Sequence, residues 1–197
     1  METEASESKS LTQEEINDFV IASHFNLAKV KEVLRLHPQL VNANAVWQET
    51  PVQAASHMGN RQIIEYLLSE GAPLDVFTAS VLGMSDRVRQ FIEEDPNVVN
   101  TRGVHTFSIL YFPAVGGQVE VAEYLVEHGA EIDTREPGNT PLHGAAGFGR
   151  LEMTRWLLDH GANINARGFE DKTALQMAEE NNQTEVSALL RERGAAE

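Results

Sequence analysis

Asn139-Thr140-Pro141-Leu142-His143-Gly144-Ala145-Ala146-Gly147-Phe148-Gly149, followed by Leu151 to Leu158 and then His160-Gly161-Ala162-Asn163-Ile164-Asn165, decides how the rest of the chain is read. Thr140 suits a helix N-cap, and Pro141 suits the first helical position, where a missing N–H costs nothing. Ala145 and Ala146 make a short first helix slim enough to press against its neighbours. Gly149 ends that helix where positive φ is cheap. Trp156, Leu157 and Leu158 give a second helix an apolar face, and Gly161 closes it in the same way. Two helices this short cannot bury their apolar faces alone, so the unit has to recur and stack.

The unit does recur. Thr50-Pro51-Val52-Gln53-Ala54-Ala55, Gly59, Ile63-Ile64, Tyr66-Leu67-Leu68 and Gly71-Ala72 repeat it, as do Thr173-Ala174-Leu175-Gln176-Met177-Ala178, Val186, Leu189-Leu190 and Gly194. Ser108-Ile109-Leu110-Tyr111 opens another copy that runs through Gly117, Val121, Tyr124-Leu125 and Gly129-Ala130. Val76 to Asn100 fits with no hairpin before it, about nine residues short of a 33-residue unit. A first copy lacks the Thr-Pro opening; it starts at a possible capping box, Thr12 with Glu15, and continues through Phe19, Val20, Val30, Val33 and Leu34. Thr140 and Thr173 are 33 residues apart, whereas Pro38 and Pro96, Tyr66 and Tyr124, and Gly71 and Gly129 are each 58 apart. The first half therefore duplicates a pair of units, one ending in x-Pro-x-x-Val-Asn and one in Gly-Ala.

These motifs resemble the ankyrin repeat family over residues 14 to 194, most specifically in the second, fifth and sixth copies. The resemblance implies an all-α solenoid of about six helix-turn-helix repeats with short hairpin loops, at roughly 14–45, 46–75, 76–100, 101–133, 134–166 and 167–197. The polar, aperiodic segment 1–10 reads as a flexible acidic tail ahead of it.

Asp and Glu number 30 against 15 Lys and Arg, a formal charge of −15, which disfavours nucleic acid and anionic membranes as partners. No stretch is long and apolar enough for a membrane span, and the N-terminal segment lacks the apolar core of a signal peptide, so a cytoplasmic monomer is expected. With no cysteine, thiol catalysis and cysteine-ligated zinc are excluded. Seven histidines invite a metal reading. However, no two have the i, i+4 spacing of a zinc helix, so no metal or other cofactor is expected. His128 and His160 precede Gly129 and Gly161 at helix ends, where a cation suits the dipole. The family implies that His143 holds its turn through hydrogen bonds. Gly144-Ala145-Ala146-Gly147-Phe148-Gly149 begins inside a helix and is not a nucleotide fingerprint. No catalytic motif appears, and the chain reads as a non-enzyme.

The family implies binding of a protein or peptide in a concave groove lined by hairpin tips and first helices, in an adaptor or inhibitor role. Carried over by position, the groove takes Trp47, Arg102, His105, Phe107, Arg167 and Phe169 from the tips, and His57, Met58, Leu82, Val115 and Phe148 from the helices. Val46, Glu49, Glu136 and Asn139 lie at tips too, Val81 joins the helix set, and Ser23-His24 lies at one end. The missing hairpin is expected to leave a notch exposing His57, Met58, Val81 and Leu82. Pro113 is expected to shorten or kink its helix. With Gly116, Gly117, Gly144 and Gly147 following, a pocket for a small molecule is the alternative, and it keeps an unusual enzyme in view.

Overall fold

The computed structural model describes residues 11–133 and 138–196. The expected acidic tail and Glu136 lie outside the described residues. Among the described residues twelve α-helices follow in pairs: α1 (Gln13–Ala22) with α2 (Leu27–Leu36), α3 (Pro51–His57) with α4 (Arg61–Ser69), α5 (Val76–Leu82) with α6 (Ser85–Glu94), α7 (Tyr111–Gly116) with α8 (Val119–Glu127), α9 (Pro141–Gly147) with α10 (Leu151–Asp159), and α11 (Ala174–Glu180) with α12 (Thr184–Glu192). The architecture is all-α. Among the described residues no helix is long and apolar enough to cross a membrane.

Local chemistry sets the helix starts. Thr12, Thr50, Thr140 and Thr173 each accept a hydrogen bond from the backbone of the third residue on, whose side chain reaches back to the cap in a reciprocal box. Asp75 caps α5, accepting from Thr78 N at 2.7 Å, which lets that helix begin seven residues after Ser69 with no hairpin between. The last carbonyls of the first helices are met from the adjoining repeat: Arg150 Nε donates to Val115 O at 2.7 Å and Arg61 Nη2 to Leu82 O at 2.7 Å.

The duplicated pair is visible in the packing of the second helices. In α4, α8, α10 and α12 the third and seventh residues after the N-cap are buried: Ile63 and Leu67, Val121 and Leu125, Met153 and Leu157, Val186 and Leu190. In α2 and α6 the buried positions move one residue on, to Val30 with Leu34 and Val88 with Ile92. Both of those helices end in a 3-10 turn opened by proline, Pro38–Asn42 and Pro96–Asn100, in place of the Gly-Ala ending. Each fully buried Leu contributes about 1.5–3 kcal/mol.

First helices pack in series, α1 on α3, α3 on α5, α5 on α7, α7 on α9 and α9 on α11. In addition, α3 touches α7 across α5. The expected notch is therefore closed: Val81, Leu82 and His57 are buried and Met58 is half-buried. Without a finger between them, the second and fourth hairpins close on each other. Pro113 costs α7 nothing, since it occupies the third helical position, where the N–H has no intrahelical partner. The helix is nevertheless short, at six residues.

Candidate functional site

Three hairpins share one closure. Ala45 N donates to Glu49 O, Gly103 N to Phe107 O and Gly168 N to Lys172 O, at 2.8–2.9 Å. His105 and Thr106 have φ of 54° and 62°, and the matching Glu170 and Asp171 have 56° and 57°, so the fourth and sixth hairpins share this left-handed pair, whereas the second has only Gln48, at 63°. Arg102 Nη1 and Arg167 Nη1 are exposed yet each donates to a carbonyl of its own turn, Thr106 O and Asp171 O.

The sequence-derived groove residues divide into two sets. Trp47, Arg102, His105, Arg167 and Phe169 are exposed, and Met58 and Phe148 are half-buried. His57, Leu82, Phe107 and Val115 are buried, which corrects their reading as an open apolar lining. Phe107 is covered because it stacks on Tyr111 and meets Phe169 edge-on. Val115 is covered by its neighbours: a Cβ on Gly59 would lie 3.1 Å from its carbonyl oxygen, and one on Gly144 2.9 Å from its Cγ1. The glycine-lined centre is filled too, since a Cβ on Gly116 would lie 2.3 Å from Val81 O.

What the structure gathers is a polar cluster where the second and fourth hairpins meet the first repeat. Glu49 is 1% exposed and has three histidines around it. His57 Nδ1, from the end of α3, lies 3.0 Å from Oε1; His105 Nε2, from the fourth hairpin, lies 3.4 Å from Oε1; His24 Nε2, from the turn after α1, lies 3.6 Å from Oε2. Trp47 Nε1 donates to Oε2 at 2.7 Å. Rings His24 and His57, and His57 and His105, are edge-on with centroids 4.9 Å apart.

Burial alone would push the Glu49 carboxyl up, but His57, Trp47 and His24 together hold it below the usual range. Burial pushes the His57 imidazole down, outweighing the attraction of Glu49, and the neighbouring His24 and His105 add to the depression. The site thus combines a carboxylate with a His57 imidazole whose burial favours its neutral form. Among the described residues, His24, Glu49 and His57 offer ligand atoms all within 4.8 Å of one another. Sequence spacing could not reveal the group, because its residues come from three repeats and no two share one helical face. The relevant signal was the missing hairpin, which brings residue 105 to residue 57.

Three further histidines have local roles. His143 Nδ1 accepts from Thr140 N at 3.1 Å, and Nε2 donates to Lys172 O at 2.9 Å, joining the fifth repeat to the sixth hairpin. His128 and His160 each donate from Nδ1 to the carbonyl four residues back, Tyr124 O and Trp156 O.

Paired helices stacked in series, with capped hairpins between them, define an ankyrin array, and comparison with known proteins agrees. A family model for ankyrin repeats (3 copies) matches residues 19–135, 76–168 and 135–196, and the chain belongs to the ankyrin repeat family. It is 28% identical over 132 residues to an ankyrin repeat protein of Rickettsia felis, covering 66% of this chain and 47% of that protein. It is 29% identical over 96 residues to alpha-latrocrustotoxin-Lt1a of Latrodectus tredecimguttatus, covering 45% of this chain and 7% of the toxin. It is 31% identical over 125 residues to cyclin-dependent kinase 4 inhibitor B of Homo sapiens, covering 61% of this chain and 88% of the inhibitor. The chain thus spans less than half the length of the first two relatives.

Proposed function

We propose that the chain is a non-catalytic binding protein that takes a protein or peptide along its hairpins and first helices, as an adaptor or inhibitor. Trp47 carries this reading. Its ring is 39% exposed at a hairpin tip while its indole N–H is tied to Glu49, so a large apolar face is held out with little rotamer entropy left to lose on binding. Phe169, 45% exposed on the sixth hairpin, supplies a second anchor far along the array. Two aromatic anchors separated by several repeats suit a polypeptide better than a metabolite, and the formal charge of −15 favours a basic one. The filled space at Gly116 and Gly144 weighs against the small-molecule alternative. The name of the human relative makes inhibition of another protein the more specific form of the proposal.

Selection from a random peptide display library against the full chain tests it. Recovered peptides are expected to be rich in Lys and Arg, and to lose binding at least ten-fold with Trp47→Ala or Phe169→Ala but not with Glu32→Ala, since Glu32 lies exposed on α2. Peptides that bind both aromatic variants unchanged would refute the surface assignment.

A further inference from the structure

We propose that His24, Glu49, His57 and His105 form a site for one divalent first-row transition ion, zinc being the best match, which ties the first, second and fourth repeats together. The donor spacing is the first argument. Ligand atoms about 2.0–2.1 Å from a tetrahedral zinc lie roughly 3.3 Å from one another. The nitrogens of His57 and His105 lie 3.0 and 3.4 Å from Oε1 and that of His24 3.6 Å from Oε2, and the ligand atoms of His24, Glu49 and His57 all lie within 4.8 Å of one another, so these three form the core of the site and draw together on the ion, while His105 stands outside that set and turns in to complete it.

Proton placement is the second argument. His24 Nδ1 faces the carbonyls of Val20 and Ile21 at 3.1 and 3.0 Å, so it must carry a proton and donate. In the neutral ring the lone pair is then on Nε2, turned toward the Glu49 carboxylate. A lone pair facing an anion is repulsive unless a cation, either a proton or a metal ion, lies between them. This arrangement, one ring nitrogen anchored to backbone and the other aimed into a cluster, is how metal-binding histidines are oriented. At the other side of the group, His57 Nδ1 and Glu49 Oε1 are both buried and, although 3.0 Å apart, are not aligned for a hydrogen bond; neither makes any other hydrogen bond, and Oε1 has only the His105 Nε2 contact at 3.4 Å besides. Buried atoms left in that state call for an occupant.

The donor set also selects the ion. Imidazoles with one carboxylate suit zinc, nickel, copper or ferrous iron, whereas calcium and magnesium prefer oxygen throughout. The ion pairs of Glu49 among the described residues are all with histidine, so no Lys or Arg supplies the compensating charge. Trp47 Nε1, bonded to Oε2, fixes the carboxylate from behind as an outer-shell partner.

The test uses the full chain, stripped with a chelator and titrated with Co(II) as a spectroscopic probe, then with Zn(II) in competition, with bound metal counted by elemental analysis. One ion per chain is expected, with the intense visible bands of a low-coordinate Co(II) site and a rise in Tm with zinc. His105→Ala, at an exposed hairpin position that leaves the core intact, should weaken binding at least ten-fold. Glu49→Gln, nearly isosteric and still able to accept from Trp47, should abolish the bands and the Tm rise. His128→Ala and His160→Ala should change neither. Absence of stoichiometric binding at micromolar metal would overturn the site in favour of a purely ionic His-Glu network. Equal binding by Glu49→Gln and His105→Ala would overturn it by placing the ion elsewhere.

Discussion

Phe107 lies flat on Tyr111, with ring centroids 4.0 Å apart and planes within 8°. This stack fastens the fourth hairpin to α7 and so sets where His105, two residues earlier, can point. Phe107 is 6% exposed and Tyr111 4%. Phe107→Ala should therefore cost about 3–5 kcal/mol in chemical denaturation. Phe169→Ala, which removes a ring only about half covered from the same aromatic group, should cost less than about 1 kcal/mol. Equal losses would mean that Phe107 is not the anchor of the hairpin.

Gly116 makes the close approach of α7 to α5 possible. A methyl there would lie 2.3 Å from the carbonyl oxygen of Val81, a backbone atom that cannot swing aside. Gly116→Ala should destabilise by about 1–3 kcal/mol or more, although alanine is the better helix former. A variant as stable as the parent in urea would show that the two helices can separate freely.

Much of the fold was legible because each motif has a local cause. Thr140 and Pro141 begin a helix in any context, and a short amphipathic pair has to stack. The same logic placed Trp47 and Phe169 at exposed tips. It failed for Phe107 and Val115, since whether a tip aromatic or a helix valine meets solvent depends on the neighbouring unit. Here α3 reaches α7 and the fourth hairpin folds onto it. The His-Glu group was hidden for the same reason: Glu49 and His57 are local neighbours, but His24 and His105 arrive through stacking across a deleted hairpin. His143, whose partners are Thr140 in its own repeat and Lys172 in the next hairpin, had the turn-holding role that its motif implied.

His143 should make stability depend on pH. Burial pushes its imidazole below the ordinary 6.5, and this outweighs the carbonyls of Lys172 and Ala166 and the charge of Asp133, which act the other way. A folded-state value below the unfolded one means that the unfolded chain binds the proton more readily. The stabilisation is therefore complete above about pH 6.5 and is lost as pH falls below it toward the folded value. Gln53 and Gln176 accept from their own N-cap threonines at 3.0 and 2.9 Å, so His143→Gln should keep the cap and lose only the bond to Lys172, at about 0.5–1.5 kcal/mol. Denaturation of both proteins at about pH 7.5 and pH 5.5 should show a smaller acid-induced loss in the variant. An identical loss in both would remove His143 as the source.

The last repeat should act as the lid of the array. Leu175, Ala178, Val186 and Leu190 share a buried cluster with Leu142, Ala145, Ala146 and Leu157, and each buried leucine is worth about 1.5–3 kcal/mol. Arg193 Nη1 also bonds Asp159 Oδ1 at 2.8 Å, and Ala196 N bonds Asn165 Oδ1 at 2.8 Å. Deleting residues 168–197 removes all of these and bares the far sides of α9 and α10. In a linear array each unit is held mainly by its neighbours, so the damage should be graded along the chain. The two tryptophans are placed to report this, Trp47 beside α3 and Trp156 within α10. With Trp156→Phe and Trp47→Phe isolating each signal, the full chain should show coincident urea transitions. The truncated chain should lose the Trp156 signal at a lower urea concentration than the Trp47 signal. Coincident transitions at the parental midpoint after truncation would mean that the sixth repeat does not support the fifth.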